Sequence, residues 1–149
     1  RKSNINNRKG ALSDAAKGAD VLIGVSRPGL FTEEMIGSMA DKPIVFAMAN
    51  PVPEIMPSDA KKAGAYIVGT GRSDFPNQIN NVLVFPGIFK GALSVRAKEI
   101  TEDMKLAAAY AIASSVPETE IAPENIIASP LDRSVAEKVA EAVAKAWKA

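Results

Sequence analysis

The chain has 149 residues, of which 47% are hydrophobic, and its 18 basic and 17 acidic side chains leave a formal net charge of +1. This length allows one domain with a buried core, and the balanced charge gives no reason to expect nucleic acid or an anionic membrane as a partner. The absence of Cys and His excludes disulfides, thiolate chemistry and histidine as a base or metal ligand. No apolar run approaches the roughly 20 residues that span a bilayer, so we expect no membrane contacts. The absence of Cys fits a cytoplasmic protein.

The residues up to Gly10 are basic and contain no acid. We interpret them as a solvated terminus or the remnant of a longer chain; an anion-binding arm is the alternative. Short helices and brief apolar runs then alternate, and Thr32 and Gly64 supply a predicted helix cap and a predicted helix stop. The predicted elements are helix 12–18, strand 20–24, helix 33–40, strand 43–48, helix 57–63 and strand 65–69. This alternation is typical of right-handed βαβ crossovers and predicts a parallel sheet.

A polar, turn-rich loop follows each predicted strand, over residues 24–28, 49–53 and 70–81. Ligands of parallel sheets bind beyond the carboxyl ends of the strands, so these loops are expected to share one edge. There Ser26 offers a hydroxyl and Asn50 an amide, although Asn50-Pro51 is also what a simple Asx-turn would contain.

Charged side chains in the same region are interpreted conservatively. Glu54 and Asp59 are taken as solvated loop carboxylates. Arg72 and Asp74 are taken as a surface ion pair, without a catalytic role.

The second half of the chain is predicted to be helical. We expect Asn81 to cap a helix that kinks near Pro86 and continues to about Val95. Helices 102–114 and 133–147 follow, capped by Thr101 and Asp132 and separated by a loop over 117–130. Their predicted buried stripes are Met104, Ala107, Ala108, Ala111 and Ile112 in the first helix, and Val135, Val139, Ala142, Val143 and Ala146 in the second.

Three stretches in this order resemble the bacterial short-form malic enzymes. They are Ala19-Asp-Val-Leu-Ile-Gly-Val-Ser-Arg-Pro-Gly29, Ile44-Val-Phe-Ala-Met-Ala-Asn-Pro-Val-Pro-Glu54 and Gly71-Arg-Ser-Asp-Phe-Pro-Asn-Gln-Ile-Asn-Asn-Val-Leu-Val-Phe-Pro-Gly-Ile-Phe-Lys-Gly-Ala-Leu93. The resemblance implies an α/β fold: the second half of a Rossmann-like parallel sheet with three βα units, followed by C-terminal helices. It divides the chain into a flexible or truncated lead-in over 1–11, a partial dinucleotide-binding domain over 12–97 and a helical segment over 98–149 packed on the same domain.

The resemblance also implies ligands. Gly24, Val25, Ser26 and Asn50 would contact the nicotinamide side of NAD or NADP. The implied reaction is the oxidative decarboxylation of malate to pyruvate and carbon dioxide, in an oligomeric enzyme that uses a divalent metal, Mg or Mn.

Malate itself would be contacted by Asn50, Asn80 and Asn81, and the resemblance leaves open which of the Asn pair does so. The Gly-x-Gly-x-x-Gly loop of dinucleotide folds, and the family's metal-binding acids and Tyr–Lys proton-transfer pair, have no counterpart in this sequence. No catalytic or metal residue is therefore assigned.

We expect the isolated chain to be inactive and to pair with an upstream half on another chain, or with itself. The alternative is a non-catalytic nucleotide-binding or assembly module derived from the same fold.

Overall fold

A computed structural model of the chain describes residue 4 and residues 7–148, so part of the predicted lead-in, residues 1–3, 5 and 6, lies outside the described residues. The chain divides into two compact units, Arg1–Pro76 and Asn77–Ala149.

The first unit is a parallel sheet with short helices. Its elements are α1 (Leu12–Ala16), β1 (Val21–Gly24), α2 (Glu33–Gly37), β2 (Ile44–Ala47), α3 (Pro57–Lys62) and β3 (Ile67–Thr70). The strands lie in the order β1-β2-β3, and all pairs are parallel. The register pairs Gly24 with Ala47 and Ala47 with Thr70, so the strands end at the same level. The predicted α/β fold with a parallel sheet is confirmed.

The two faces of this sheet differ in burial. On one face Leu22, Val45 and Val68 are buried and pack with Ile36 of α2 in the core of the unit. Burying an aliphatic side chain of this size contributes about 1.5–3 kcal/mol. On the opposite face of β1, Val21 is 45% exposed and Ile23 is 59% exposed. The sheet therefore has one covered apolar face and one that remains partly open.

The predicted helix signals of the first unit act as expected. The Thr32 hydroxyl oxygen accepts a hydrogen bond from the Met35 N–H (3.3 Å) and caps α2. Gly64 follows α3 with a φ of +106°, a conformation that L side chains rarely adopt. Helix α2 ends at Gly37, before the predicted end at residue 40, and the Ser38 hydroxyl donates to the carbonyl oxygen of Met35 at that end.

The second unit is helical. It contains a 3₁₀ turn (Asn81–Leu83), α4 (Gly87–Ser94), α5 (Glu102–Ala113), a second 3₁₀ turn (Glu118–Glu120) and α6 (Arg133–Ala146). The predicted caps are present: the Met104 N–H donates to the Thr101 hydroxyl (3.3 Å), and the Ser134 N–H donates to Asp132 (2.9 Å). Of the predicted stripes, the structure buries Met104, Ala108, Ala111, Val135, Val139 and Val143. No helix in the described part of the chain is long and apolar enough to cross a membrane.

The predicted helix from Asn81 to Val95 is wrong. The N-cap is Asn80, whose side-chain oxygen accepts from the Val82 N–H (3.0 Å), and the turn that it caps ends at Leu83. Helix α4 then starts separately, directly after Pro86. Proline has no N–H to donate and clashes inside a helix, so a short 3₁₀ turn and a separate α-helix replace one kinked helix.

Two glycines let α4 approach α6 closely. A β-carbon on Gly87 would lie 2.6 Å from the carbonyl oxygen of Ala136 and 2.8 Å from the β-carbon of Val139. A β-carbon on Gly91, one turn later, would lie 2.9 Å from the β-carbon of Val143. The absence of side chains at these positions sets the spacing of the two helices.

Candidate functional site

The loops that follow the three strands meet at the carboxyl edge of the first unit. Beside the strand ends, the Met48 N–H donates to the carbonyl oxygen of Gly24 (3.0 Å). The side-chain oxygen of Asn50 lies 3.3 Å from the position of a β-carbon on Gly71, which follows β3. The loops after β2 and β3 are therefore in contact, at the edge where ligands of parallel sheets bind.

Glu54 joins the loops after β1 and β2. Its carboxylate is fully buried, with Oε1 accepting from the Ser26 N–H (2.7 Å) and Oε2 from the Ala49 N–H (3.0 Å). Its own carbonyl oxygen accepts from the Phe31 N–H (3.1 Å). The interpretation of Glu54 as a solvated carboxylate is wrong, because the two backbone donors replace water around the charge. Asp59, in contrast, is exposed as predicted.

Gly24 provides the space for this carboxylate. A β-carbon at Gly24 would lie 2.5 Å from Cδ of Glu54 and 2.7 Å from Cζ of Phe31. The close approach that a glycine permits here is therefore to a side chain of the protein itself.

The polar side chains at this edge are available to a ligand. Ser26 and Asn50 are exposed, and within the described residues neither side chain makes a hydrogen bond. Val25, between Gly24 and Ser26, is 77% exposed. A hydroxyl and an amide without internal partners can donate to and accept from a polar ligand.

Arg72 and Asp74 form the expected ion pair in the loop after β3. The Arg72 guanidinium donates from Nε to Oδ1 (2.8 Å) and from Nη2 to Oδ2 (2.7 Å) of Asp74, and lies over the ring of Phe75. Hydrogen bonding to Arg72 holds the pKa of Asp74 below its usual range. The pair is partly exposed, and neither of its side chains binds the side chain of Ser26 or Asn50.

The amides at the start of the second unit serve different purposes. Asn80 is half-buried, and its side-chain oxygen is used as the cap. Asn81 is exposed, and its side chain makes no hydrogen bond with any residue that the structure describes. The side chain of Asn81 is therefore the freer of the two.

Asn77 is a structural residue of the second unit. Its buried side chain donates to the carbonyl oxygen of Pro123 (2.8 Å) and accepts from the Ile126 N–H (3.0 Å). These bonds attach the loop before α6 to the start of the unit, so this amide is not available to a ligand.

A sequence model of the family described as "Malic enzyme, NAD binding domain" matches residues 7–148. The chain belongs to this family. The resemblance read from the three sequence stretches is confirmed, and so is the fold that it implied.

Known malic enzymes are similar to this chain along almost its whole length. The bifunctional malic/malolactic enzyme of Bacillus subtilis is 60% identical over 144 residues, which cover 97% of this chain and 35% of that protein. The NADP-dependent malic enzyme of Halomonas elongata is 48% identical, over 95% of this chain and 37% of that protein. The crystal structure of malic enzyme from Pyrococcus horikoshii superimposes with a TM-score of 0.91 at 56% identity, over 95% of this chain and 33% of that one. This malic enzyme chain thus spans about a third of the length of these relatives.

The described residues of this malic enzyme chain include no group of three or more His, Cys, Asp and Glu side chains that could hold a metal ion. The side chains present here therefore do not fit the divalent metal that the family resemblance implies, and no chemical step is assigned through it.

Sequence reasoning missed Glu54 as part of this edge. One of its partners, Ser26, is 28 residues away along the chain, so no local sequence pattern indicates the contact. The only hint is its position between Pro53 and Ile55, in an apolar context that is unusual for a solvated acid.

Proposed function

We propose that this malic enzyme chain forms the nicotinamide-side wall of the cofactor site and supplies amides that orient malate. The parent reaction is the oxidative decarboxylation of malate to pyruvate and carbon dioxide with NAD or NADP. The observation that carries the proposal is the location of Ser26 and Asn50 in the loops after β1 and β2, at the edge where parallel sheets bind ligands. Both are exposed and, among the described residues, form no hydrogen bond through their side chains.

In this proposal Ser26 and Asn50 hold the nicotinamide end of the cofactor. A hydroxyl and an amide match the donor and acceptor groups of a carboxamide. Gly24 and Val25 form the adjoining backbone wall. The cofactor, when bound, accepts the hydride, while these residues orient its ring and exclude water from that side.

The malate contacts of this proposal, Asn50 in the first unit and Asn80 and Asn81 in the second, rest on the family resemblance. Amide groups donate to carboxylate oxygens and accept from the malate hydroxyl. The side chain of Asn81 makes no hydrogen bond within the part of the chain that the structure describes, which supports it as the principal contact of the pair, whereas the oxygen of Asn80 already caps a 3₁₀ turn. The amide nitrogen of Asn80 and the second lone pair of its oxygen then remain for substrate.

The proposal leaves the metal and the acid–base groups to a part of the enzyme outside this chain. We therefore expect the purified 149-residue chain to be inactive with malate, NAD or NADP and Mn²⁺. Ordinary turnover by the chain alone would contradict this division of roles.

A hybrid enzyme tests the positive side of the proposal. In it, this chain replaces the matching 144-residue stretch of the Bacillus subtilis malic/malolactic enzyme. We expect the hybrid to turn over malate, and the Asn50→Ala variant to lose affinity for NAD or NADP by about tenfold, or about 1.4 kcal/mol. A folded hybrid with no calorimetric affinity for either cofactor would instead favour a non-catalytic assembly module.

The open sheet face supports a partner for the first unit. Val21 and Ile23 are apolar and exposed on β1, and unprotected sheet surfaces favour association. We expect the chain to bind a polypeptide that carries the upstream half of a malic enzyme, or to self-associate. Light scattering that shows one monomeric species at all concentrations, with and without that polypeptide, would contradict this.

A further inference from the structure

One buried carboxylate contacts two loops of the proposed site. Glu54 Oε1 accepts from the N–H of Ser26, in the loop after β1, and Glu54 Oε2 accepts from the N–H of Ala49, two residues after the end of β2. The side chain is fully buried, so water does not compete for either oxygen. Each oxygen thus holds a different loop.

These contacts lie next to the ligand-facing side chains. The first N–H belongs to Ser26 itself, and the second belongs to the residue immediately before Asn50. A charged acceptor makes shorter and stronger hydrogen bonds than a neutral one, and the Ser26 contact is 2.7 Å long. A shift of the carboxylate would therefore move the backbone of both loops.

The surrounding structure holds the carboxylate in place. Gly24 leaves it space, because a β-carbon there would overlap Cδ of Glu54. The Glu54 backbone is held by the Phe31 N–H. The side chain of an exposed acid can change rotamer, because water solvates its charge in any orientation. If the buried Glu54 carboxylate moved away from either backbone N–H, its charge would lose a hydrogen bond that water could not replace.

We propose that Glu54 is a positioning residue of the malic enzyme site, whose buried carboxylate sets the location of Ser26 and Asn50 relative to the cofactor. This inference rests on the proposed function of those two residues. Because Glu54 already occupies both backbone N–H groups, recognition of the cofactor at these points falls to the hydroxyl and the amide side chains.

The Glu54→Gln variant tests the loops directly in the 149-residue chain. Glutamine keeps the shape but has one acceptor oxygen, and its NH₂ group faces the second backbone donor. We expect amide hydrogen exchange at Ser26 or Ala49 to accelerate at least about tenfold more than at Val45, in the middle of the sheet. The matched control is Ile36→Val, which removes a buried methyl group from the same core and should change all these amides alike.

The hybrid enzyme tests the consequence for function. We expect Glu54→Gln to raise the KM for the cofactor about tenfold, Glu54→Asp to raise it less because the charge is kept, and Ile36→Val to leave it unchanged. A KM equal in all variants, with only a shared loss of stability, would overturn the inference. So would unchanged exchange at Ser26 and Ala49.

Different results would refute the proposed function and the positioning role of Glu54. An unsubstituted hybrid without turnover or cofactor affinity would refute the proposed function. In that case the exchange measurement on the chain itself still decides whether Glu54 holds the two loops.

Discussion

The carboxylate of Glu54 occupies the space that a side chain on Gly24 would need. A β-carbon added to Gly24 would come within 2.5 Å of Cδ of Glu54 and within 2.7 Å of Cζ of Phe31. Gly24 ends β1 and Glu54 follows β2. The absence of a side chain at Gly24 therefore lets the segment after β2 pack against the end of β1. The glycine and the buried acid therefore depend on each other.

Gly24→Ala should destabilise the chain. The added methyl group must displace a buried carboxylate or a buried aromatic ring, and overpacking of this kind costs about 1–3 kcal/mol. Urea denaturation followed by circular dichroism measures the loss. Gly37→Ala is the matched control, because its β-carbon would meet only the carbonyl oxygen of Ala63 at 3.7 Å. Equal effects of the two substitutions would contradict the prediction.

Asn77→Ala should destabilise the helical unit by about 1–3 kcal/mol, because it removes the partners of the Pro123 carbonyl and the Ile126 N–H. Trp147 is the only tryptophan and packs against the core of that unit, so its fluorescence during urea unfolding reports the change. Asn81→Ala, at an exposed amide, should shift stability by less than about 0.5 kcal/mol. An unchanged unfolding midpoint for Asn77→Ala would refute the structural role.

Substitution of Asn80 should lower the stability of the helical unit, whereas substitution of Asn81 should weaken substrate binding. Asn80→Ala removes a helix cap and should cost about 1 kcal/mol in Trp147-monitored unfolding. Asn81→Ala should leave that stability intact and raise the malate KM of the hybrid enzyme about tenfold, or about 1.4 kcal/mol. The reverse pattern, with malate affinity lost only on substitution of Asn80, would assign the substrate contact to Asn80.

The Asp132 cap of α6 should make the chain lose stability as the pH falls into the acidic range. Hydrogen bonds from Ser134 hold the pKa of Asp132 below its usual range, so the folded state favours the charged carboxylate. This contribution is fully present above the pKa of the unfolded chain, near about pH 4, and is lost as the pH falls through the lower folded pKa. Asp132→Asn and Asp132→Ser keep a neutral cap, so their urea midpoints should fall less steeply below pH 4 than that of the unsubstituted chain. Parallel acid limbs for all three proteins would exclude this role.

The elements that the sequence predicted correctly depend on local chemistry. Thr101 and Asp132 each bind an N–H within the next three residues, and Gly64 adopts its own positive φ. Such signals lie within a single turn and can be predicted from the neighbouring residues in the sequence. The parallel sheet followed from the spacing of three short apolar runs between helices.

The features that the sequence did not predict depend on contacts made after folding. Glu54 is buried because Ser26, far along the chain, supplies a donor to it. Asn80 and Asn81 are chemically identical neighbours, and only the backbone geometry selects Asn80 as the cap. Asn77 binds residues 46 and 49 positions later, in a loop that has no regular pattern.

The contact of α4 with α6 also bears on inherited variation. Every amino-acid replacement encoded at Gly87 or Gly91 introduces at least a methyl group, and at Gly87 that group would lie 2.6 Å from a backbone oxygen that cannot rotate away. Conservative and radical missense alleles at these two codons would therefore be similarly harmful. A survey of tolerated alleles should contain no substitution at either glycine, whereas it should contain substitutions at the exposed residue Lys90.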